Sequence, residues 1–143
     1  MSQRPDYSEI EHTADVGFEL SAPDLHSALE RSAAAMFDII CGLESVEERL
    51  EIPVEVAWRE GDLENLLVRW LTELLYLHEV RHLLLSRFRV IHSEGGRLEA
   101  SASGEEFDPE RHTIATELKA PTYHDLKLSE DDGRWSVRVI FDT

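Results

Sequence analysis

The spacing of apolar residues changes at about residue 83 of this chain, and that change constrains the fold more than any other feature. Before it, two segments repeat apolar residues every three or four positions, as amphipathic helices do. After it, apolar and polar residues alternate, as in β-strands. The chain has 143 residues, enough for one core. We therefore expect a single domain over residues 1–143, with residues 1–6 as a flexible N-terminal tail.

Two helices are predicted, and residues at their ends indicate their limits. Asp24 is placed to cap the first helix and Gly42 to end it, while the second helix begins at Asp62. The apolar stripe of the first helix comprises Leu25, Ala28, Leu29, Met36, Phe37 and Ile40. The apolar stripe of the second comprises Leu63, Leu66, Leu67, Trp70, Leu71, Leu74 and Leu75.

The remaining segments are predicted to be strands. One precedes the first helix, and residues 50–56 form another, in which Pro53 indicates an edge position. Four more follow the second helix. They comprise a pair joined by a turn at Gly95-Gly96, a strand at Thr113–Ala120 and a strand at Trp135–Phe141. The expected fold is α+β, a mixed β-sheet with two helices in the order β-α-β-α-β-β-β-β.

Charge limits the classes of function. The chain has 14 basic and 30 acidic residues, a net charge of −16. Nucleic-acid binders cluster Lys and Arg against phosphates, so direct nucleic-acid binding is not expected as the main activity. A basic protein partner or bound cations fit this charge better. No apolar run suits a signal peptide or a membrane span, so we expect no membrane association and a cytoplasmic location.

The two ends of the chain carry carboxylates that could meet. In the last strand, Trp135, Val137, Val139 and Phe141 alternate onto one face, which puts Asp142 on the other. If Asp15 lies beside it, these two carboxylates and the terminal carboxylate of Thr143 repel each other unless a hard cation lies among them. This predicts a divalent-cation site, most simply for calcium, with magnesium or manganese as alternatives. The competing interpretation is a solvated Asp142 and an Asp15 that stabilises a turn.

A second possible metal site lies at His78-Glu79-Val80-Arg81-His82. This segment matches H-E-x-x-H, in which two histidines one helical turn apart bind zinc, and it suggests a small zinc metalloprotease as an alternative function. The longer version of the motif needs a glycine and a third histidine downstream, where this chain has Leu85 and Phe88. The motif is therefore the weaker of the two metal predictions.

Other polar segments give less specific signals. The chain lacks G-x-S-x-G, Walker A and G-x-G-x-x-G patterns, so no nucleophile elbow or nucleotide loop is predicted. Gly104-Glu105-Glu106 followed by Arg111-His112 is interpreted as a loop after a strand. Lys119 is one of only two lysines in a chain that otherwise uses arginine, so it is either a functional ammonium group or an ordinary exposed lysine.

From Tyr7 to Thr143 the chain resembles the archease family, the small protein cofactors of RtcB-type tRNA-splicing RNA ligases. The matching segments are His12-Thr13-Ala14-Asp15-Val16-Gly17, Ala33-Ala34-Ala35-Met36-Phe37, Leu66 to Leu75, Gly104-Glu105, Arg111-His112, Lys119-Ala120, Thr122-Tyr123-His124 and Ile140-Phe141-Asp142. The resemblance implies a divalent-metal site made by Asp15, Asp142 and a main-chain or terminal oxygen of Thr143. Four further residues in the matching segments are candidates for a functional role or for contact with a partner: His12, Lys119, Tyr123 and His124.

The function implied by this resemblance is that of an accessory protein and not of an enzyme. Archease-like proteins promote guanylylation of the ligase and its multiple turnover, so the expected partner is an RtcB-type RNA ligase. The alternative is a chaperone-like acidic binding module for RNA-processing proteins.

Overall fold

The structure is a computed structural model that describes residues 4–12 and 15–143. Its strands and helices, in chain order, are β1 (Ser8–His12), β2 (Asp15–Ala22), α1 (Leu25–Cys41), β3 (Leu50–Ala57), α2 (Leu63–Arg81), β4 (Leu83–His92), β5 (Arg97–Glu106), β6 (Ala120–Pro121), β7 (Lys127–Asp131) and β8 (Arg134–Asp142). A short 3-10 turn at Leu43–Ser45 follows α1. No helix in the described ranges is long and apolar enough to cross a membrane.

The strands form two sheets. The larger has five strands in the order β1-β2-β8-β6, with β7 also paired to β8, and the smaller has the order β3-β5-β4. Every strand pair within the described residues is antiparallel. The α+β class with two helices is confirmed. The expected single mixed sheet is replaced by two antiparallel sheets, and residues 4–12 and 15–143 contain eight strands where six were predicted.

The helices join the two sheets through one apolar core. Helix α1 packs against β2 and β8 of the larger sheet and β4 of the smaller one, and α2 packs against α1 and strands of both sheets. Trp70 of α2 is fully buried, and its indole Nε1 donates a hydrogen bond to the carbonyl oxygen of Leu29 in α1 at 2.9 Å. Because that polar group is paired, burying the large ring carries no desolvation penalty from an unsatisfied donor.

The helix ends follow the local signals of the sequence. The Asp24 carboxylate accepts a hydrogen bond from the Ser27 amide at 2.7 Å, and Asp62 accepts one from the Asn65 amide at 3.0 Å. Both bonds satisfy amides that a helix N-terminus leaves without a partner. At the end of α1, Gly42 has a φ of 74°, a conformation that glycine adopts without strain.

The predicted turn at Gly95-Gly96 and the predicted edge position of Pro53 are also confirmed. Gly95 and Gly96, with φ values of 68° and 71°, connect β4 to β5, and Pro53 lies in β3 at an edge of the smaller sheet. Asp132 and Gly133 connect β7 to β8 with positive φ at both positions, as a two-residue hairpin turn requires.

One predicted strand is wrong. Residues 113–119 contain neither helix nor strand, and only Ala120 of the expected strand Thr113–Ala120 belongs to one, β6. Main-chain amides in the middle of this segment donate hydrogen bonds to carbonyl groups in other parts of the fold, and not to a neighbouring strand. The Ala115 and Thr116 amides donate to the Ile40 carbonyl at 2.7 and 3.3 Å. Hydrogen bonds to the end of α1 therefore replace strand pairing for these two amides.

Candidate functional site

Asp15 and Asp142 are direct partners at one end of the larger sheet. Asp15 is the first residue of β2, Asp142 is the last of β8, and the antiparallel register places them opposite each other. Opposed residues of antiparallel strands point to the same side of a sheet, with Cβ atoms about 4.5–5.5 Å apart. Like charges in this relation are destabilising. We call this part of the molecule the Asp142 end of the sheet: the start of β2, the end of β8 and β6 beside them.

Alternation along β8 determines which way Asp142 faces. Val139 and Phe141 are fully buried on the core side, while Asp142 is exposed. Their β2 partners follow the same pattern, since Phe18 opposes Val139 and is also fully buried. The core residues therefore fix the register that brings the two carboxylates together on the opposite side.

Gly17 allows the close approach of β2 and β8 near this pair. It opposes Ile140, and a Cβ atom at position 17 would lie 2.0 Å from the Val139 carbonyl oxygen and 3.0 Å from the Ile140 Cα. No side chain larger than hydrogen fits there unless the two strands move apart. The glycine that ends the His12–Gly17 motif thus has a packing role two residues from Asp15.

Lys119 reaches the same end of the sheet through its main chain. Its amide donates to the Asp142 carbonyl oxygen at 2.9 Å, and Ala120 then pairs with Asp142 in β6. The Lys119 side chain is exposed, as is Thr143. The two predicted carboxylate ligands, Asp15 and Asp142, therefore lie on adjacent strands. Thr143 follows Asp142 directly, and Lys119 is hydrogen-bonded to Asp142 through its main chain.

The other three predicted functional residues are His12, Tyr123 and His124. The backbone of His12 pairs with Asp15 across β1 and β2, but its side chain, like Thr13 and Ala14, lies outside the described residues. Tyr123 and His124 are exposed in the turn between β6 and β7, and His124 Nε2 lies 3.5 Å from the carboxylate of its neighbour Asp125. These two residues are accessible to a partner molecule close to β6.

The geometry of the H-E-x-x-H segment does not suit zinc. His82 is the residue that ends α2, in the left-handed conformation with a φ of 56°, so it has left the helical spacing that the motif requires. The Nδ1 atom of His78 is hydrogen-bonded to the Leu83 carbonyl oxygen at 3.0 Å, and its ring contacts Phe37 edge-on. Both histidines are therefore engaged in contacts at the C-terminal end of α2 and are not arranged as a zinc-binding pair.

No group of three or more His, Cys, Asp or Glu side chains within the described ranges could hold a metal ion. The predicted site at the Asp142 end of the sheet is not such a group. It has two side-chain carboxylates, and its third predicted ligand is a main-chain or terminal oxygen of Thr143.

A buried carboxylate, Glu105, lies outside the sites predicted from the sequence. The sequence pattern predicts a loop here, whereas Glu105 lies in β5 and is 3% exposed. Its carboxylate accepts hydrogen bonds from the Glu47 amide at 2.6 Å and from the Arg111 guanidinium, and it lies 3.0 Å from His112 Nε2. The one available signal was the pair Arg111-His112, which provides two donors six and seven residues after a glutamate.

These donors keep Glu105 ionised. Burial alone opposes ionisation and raises the pKa of the carboxyl group, but the Glu47 amide, His112 and Arg111 outweigh it, and the pKa is lower than the ordinary glutamate value. The Nε of Arg49, 3.4 Å from the carboxylate, adds a further positive charge. The negative charge of Glu105 is thus compensated by donors within the fold.

Comparison with known proteins identifies the family. The model of the archease protein family matches residues 7–143. A protein named archease from Pyrococcus furiosus is 43% identical over 141 residues, which cover 95% of this chain and 97% of that protein. The similarity to this relative thus spans nearly the full length of both chains, and the family match includes the segments that carry Asp15, Lys119 and Asp142.

Solved structures have the same fold. The solution structure of protein 1598 from Methanobacterium thermoautotrophicum is similar to this chain with a TM-score of 0.82 at 34% identity, covering 96% of this chain and 98% of that one. The crystal structure of an archease from Thermotoga maritima, described as a possible chaperone, has a TM-score of 0.61 at 24% identity and covers 94% of each chain.

Proposed function

The chain belongs to the archease family, and we propose that it is a non-catalytic, metal-binding accessory protein that activates an RtcB-type tRNA-splicing RNA ligase. In this proposal it promotes guanylylation of the ligase and its multiple turnover. The observation that carries the proposal is the cross-strand pair of Asp15 and Asp142, with Lys119 beside it. Two opposed carboxylates on the exposed side of a sheet are unfavourable for the isolated fold, and a cation relieves their repulsion.

The donor atoms fit a hard divalent cation. The carboxylates of Asp15 and Asp142, with a terminal or main-chain oxygen of Thr143, provide only oxygen ligands, which calcium, magnesium and manganese prefer. Water completes so open a shell, and calcium tolerates the irregular geometry best. A bound cation supplies positive charge at this exposed end of the sheet, where a partner can reach it.

The charge of the whole molecule supports a protein partner over a nucleic acid. A net charge of −16 favours association with a basic surface and repels RNA phosphates. We therefore expect the ligase to present a basic surface to this protein. Lys119 is exposed at the Asp142 end of the sheet, where its compact ammonium group can contact an anionic group of the ligase or its nucleotide.

The decisive experiment measures guanylylation of the RtcB-type ligase of the same organism, with and without this protein. Wild-type protein is expected to accelerate formation of the ligase–GMP adduct. Asp142→Asn should remove most of the acceleration, because it removes a predicted ligand charge and changes the side-chain size little. Asp131→Asn is the matched control, since Asp131 is an exposed aspartate on β7, opposite Arg134.

A second candidate function is a chaperone-like acidic binding module. It is favoured by the large negative charge and by the description of the Thermotoga maritima protein as a possible chaperone. The same assay separates the two functions. A stoichiometric complex that keeps the ligase soluble and leaves the guanylylation rate unchanged supports the binding module and contradicts the activator.

A further inference from the structure

We propose that Glu105 and His112 are a positioning pair: they hold the segment 107–119 in one conformation and so keep Lys119 beside Asp142. This inference rests on the proposed function, because Lys119 and Asp142 matter there for ligase activation. It assigns a role to the two motifs, Gly104-Glu105 and Arg111-His112, that the metal site does not use.

The segment 107–119 needs such an anchor because it has no helix or strand of its own. Side-chain and main-chain contacts with other parts of the fold hold it in place. Ala115 and Thr116 donate to the carbonyl group of Ile40 at the end of α1, and Lys119 donates to Asp142 at the end of β8. Between Glu106 and Ala115, the Glu105–His112 contact ties the segment to the smaller sheet.

The contact between Glu105 and His112 has a defined direction. The Asp108 amide donates to His112 Nδ1 at 2.9 Å, so this nitrogen is an acceptor and the ring proton lies on Nε2. Nε2 then donates to Glu105 at 3.0 Å. Both residues are 3% exposed, and the His112 ring also packs against Phe107. The imidazole therefore has one orientation, with a main-chain donor on one side and a carboxylate on the other.

Glu105 connects three separate parts of the chain at this point. Its own strand ends at Glu106, the Glu47 amide belongs to the loop before β3, and Arg111 and His112 belong to the segment 107–119. An apolar pair of the same volume would fill this space but would leave the Glu47 and Asp108 amides without their acceptors. Directional hydrogen bonds add a fixed relative position of the three parts, which apolar packing specifies less well.

The test compares three variants by amide hydrogen exchange and by ligase guanylylation. Glu105→Gln keeps the size of the side chain and removes its charge, and His112→Phe keeps a buried ring and removes both hydrogen bonds. Both should increase exchange of the Lys119 amide at least tenfold and lower the stimulation of the ligase. Tyr7→Phe is the control, because it removes another long-range hydrogen bond, from the Tyr7 hydroxyl to Asp38, outside this segment.

A double-mutant cycle separates positioning from general loss of stability. If Glu105 acts through Lys119, Lys119→Ala should reduce stimulation strongly in the wild-type background and little in the Glu105→Gln background. Independent multiplicative effects, or exchange that rises equally throughout β2 and β8, would overturn the proposal. So would unchanged Lys119 exchange in both variants. Wild-type protein that fails to stimulate the ligase contradicts the proposed function, and the exchange result then still decides whether the pair positions Lys119.

Discussion

At the scale of single residues, Glu105 and Asp142 show how one chemical group serves two purposes. The Glu105 carboxylate is buried and surrounded by donors, so its charge is neutralised within the fold. The Asp142 carboxylate is exposed and opposes another aspartate, so its charge is available to a ligand. The difference arises from neighbouring residues, because a carboxylate with several donors is stable when buried, whereas two opposed carboxylates repel each other.

Glu105→Gln should reduce stability at neutral pH by about 1–3 kcal/mol, because charged hydrogen bonds are lost and buried donors remain. The pKa of Glu105 is lower in the folded protein than in the unfolded chain, where it is near the ordinary value. The ionised form therefore stabilises the fold above the unfolded-state pKa, and this contribution is lost as the pH falls towards the folded-state pKa. Urea unfolding should show the difference between wild type and variant shrinking below about pH 5. A difference independent of pH would contradict this origin.

At the scale of the elements, the pairing of β2 with β8 determines the candidate site, and Gly17 is its sensitive point. Gly17→Ala places a methyl group against the Val139 carbonyl. The two strands must therefore move apart at a point only two residues from Asp15. Overpacking of this kind costs about 1–3 kcal/mol, and a lower melting temperature and weaker calcium binding should occur together. Ser136→Ala, in β8 of the same sheet, is the control and should change neither. Normal stability with normal calcium binding in Gly17→Ala would show that the strands adjust without cost.

The elements also show what local sequence can and cannot specify. Both helices, their N-caps and the end of α1 at Gly42 were predicted, since these signals lie within a few residues of each other. The alternation in β8 correctly placed Asp142 on the exposed side. The strand at Thr113–Ala120 was wrong because its amides pair with Ile40, about 75 residues away in sequence, and no local pattern records that partner. Glu105 was missed for the same reason, since its burial depends on donors from other segments.

At the scale of the whole molecule, the fold brings the beginning of β2 and the end of β8 together in a chain of net charge −16. Divalent cations also screen so acidic a surface in general, so stabilisation by calcium alone does not identify a site. A specific site requires that the stabilisation depend on Asp15 and Asp142 and not on other acidic residues.

Calcium at millimolar concentration should raise the melting temperature of the wild-type protein, because a ligand that binds only the folded state stabilises it, by about 2.7 kcal/mol at one hundred times its dissociation constant. Asp15→Asn and Asp142→Asn should each remove most of this shift, and Asp131→Asn should keep it. A tag fused after Thr143 should weaken the shift, because it removes the terminal carboxylate, whereas a tag before Tyr7 should not. Thermal unfolding at constant ionic strength measures all six proteins. Equal stabilisation of wild type and Asp142→Asn would mean that calcium acts by screening, and that the cross-strand pair of aspartates serves another purpose.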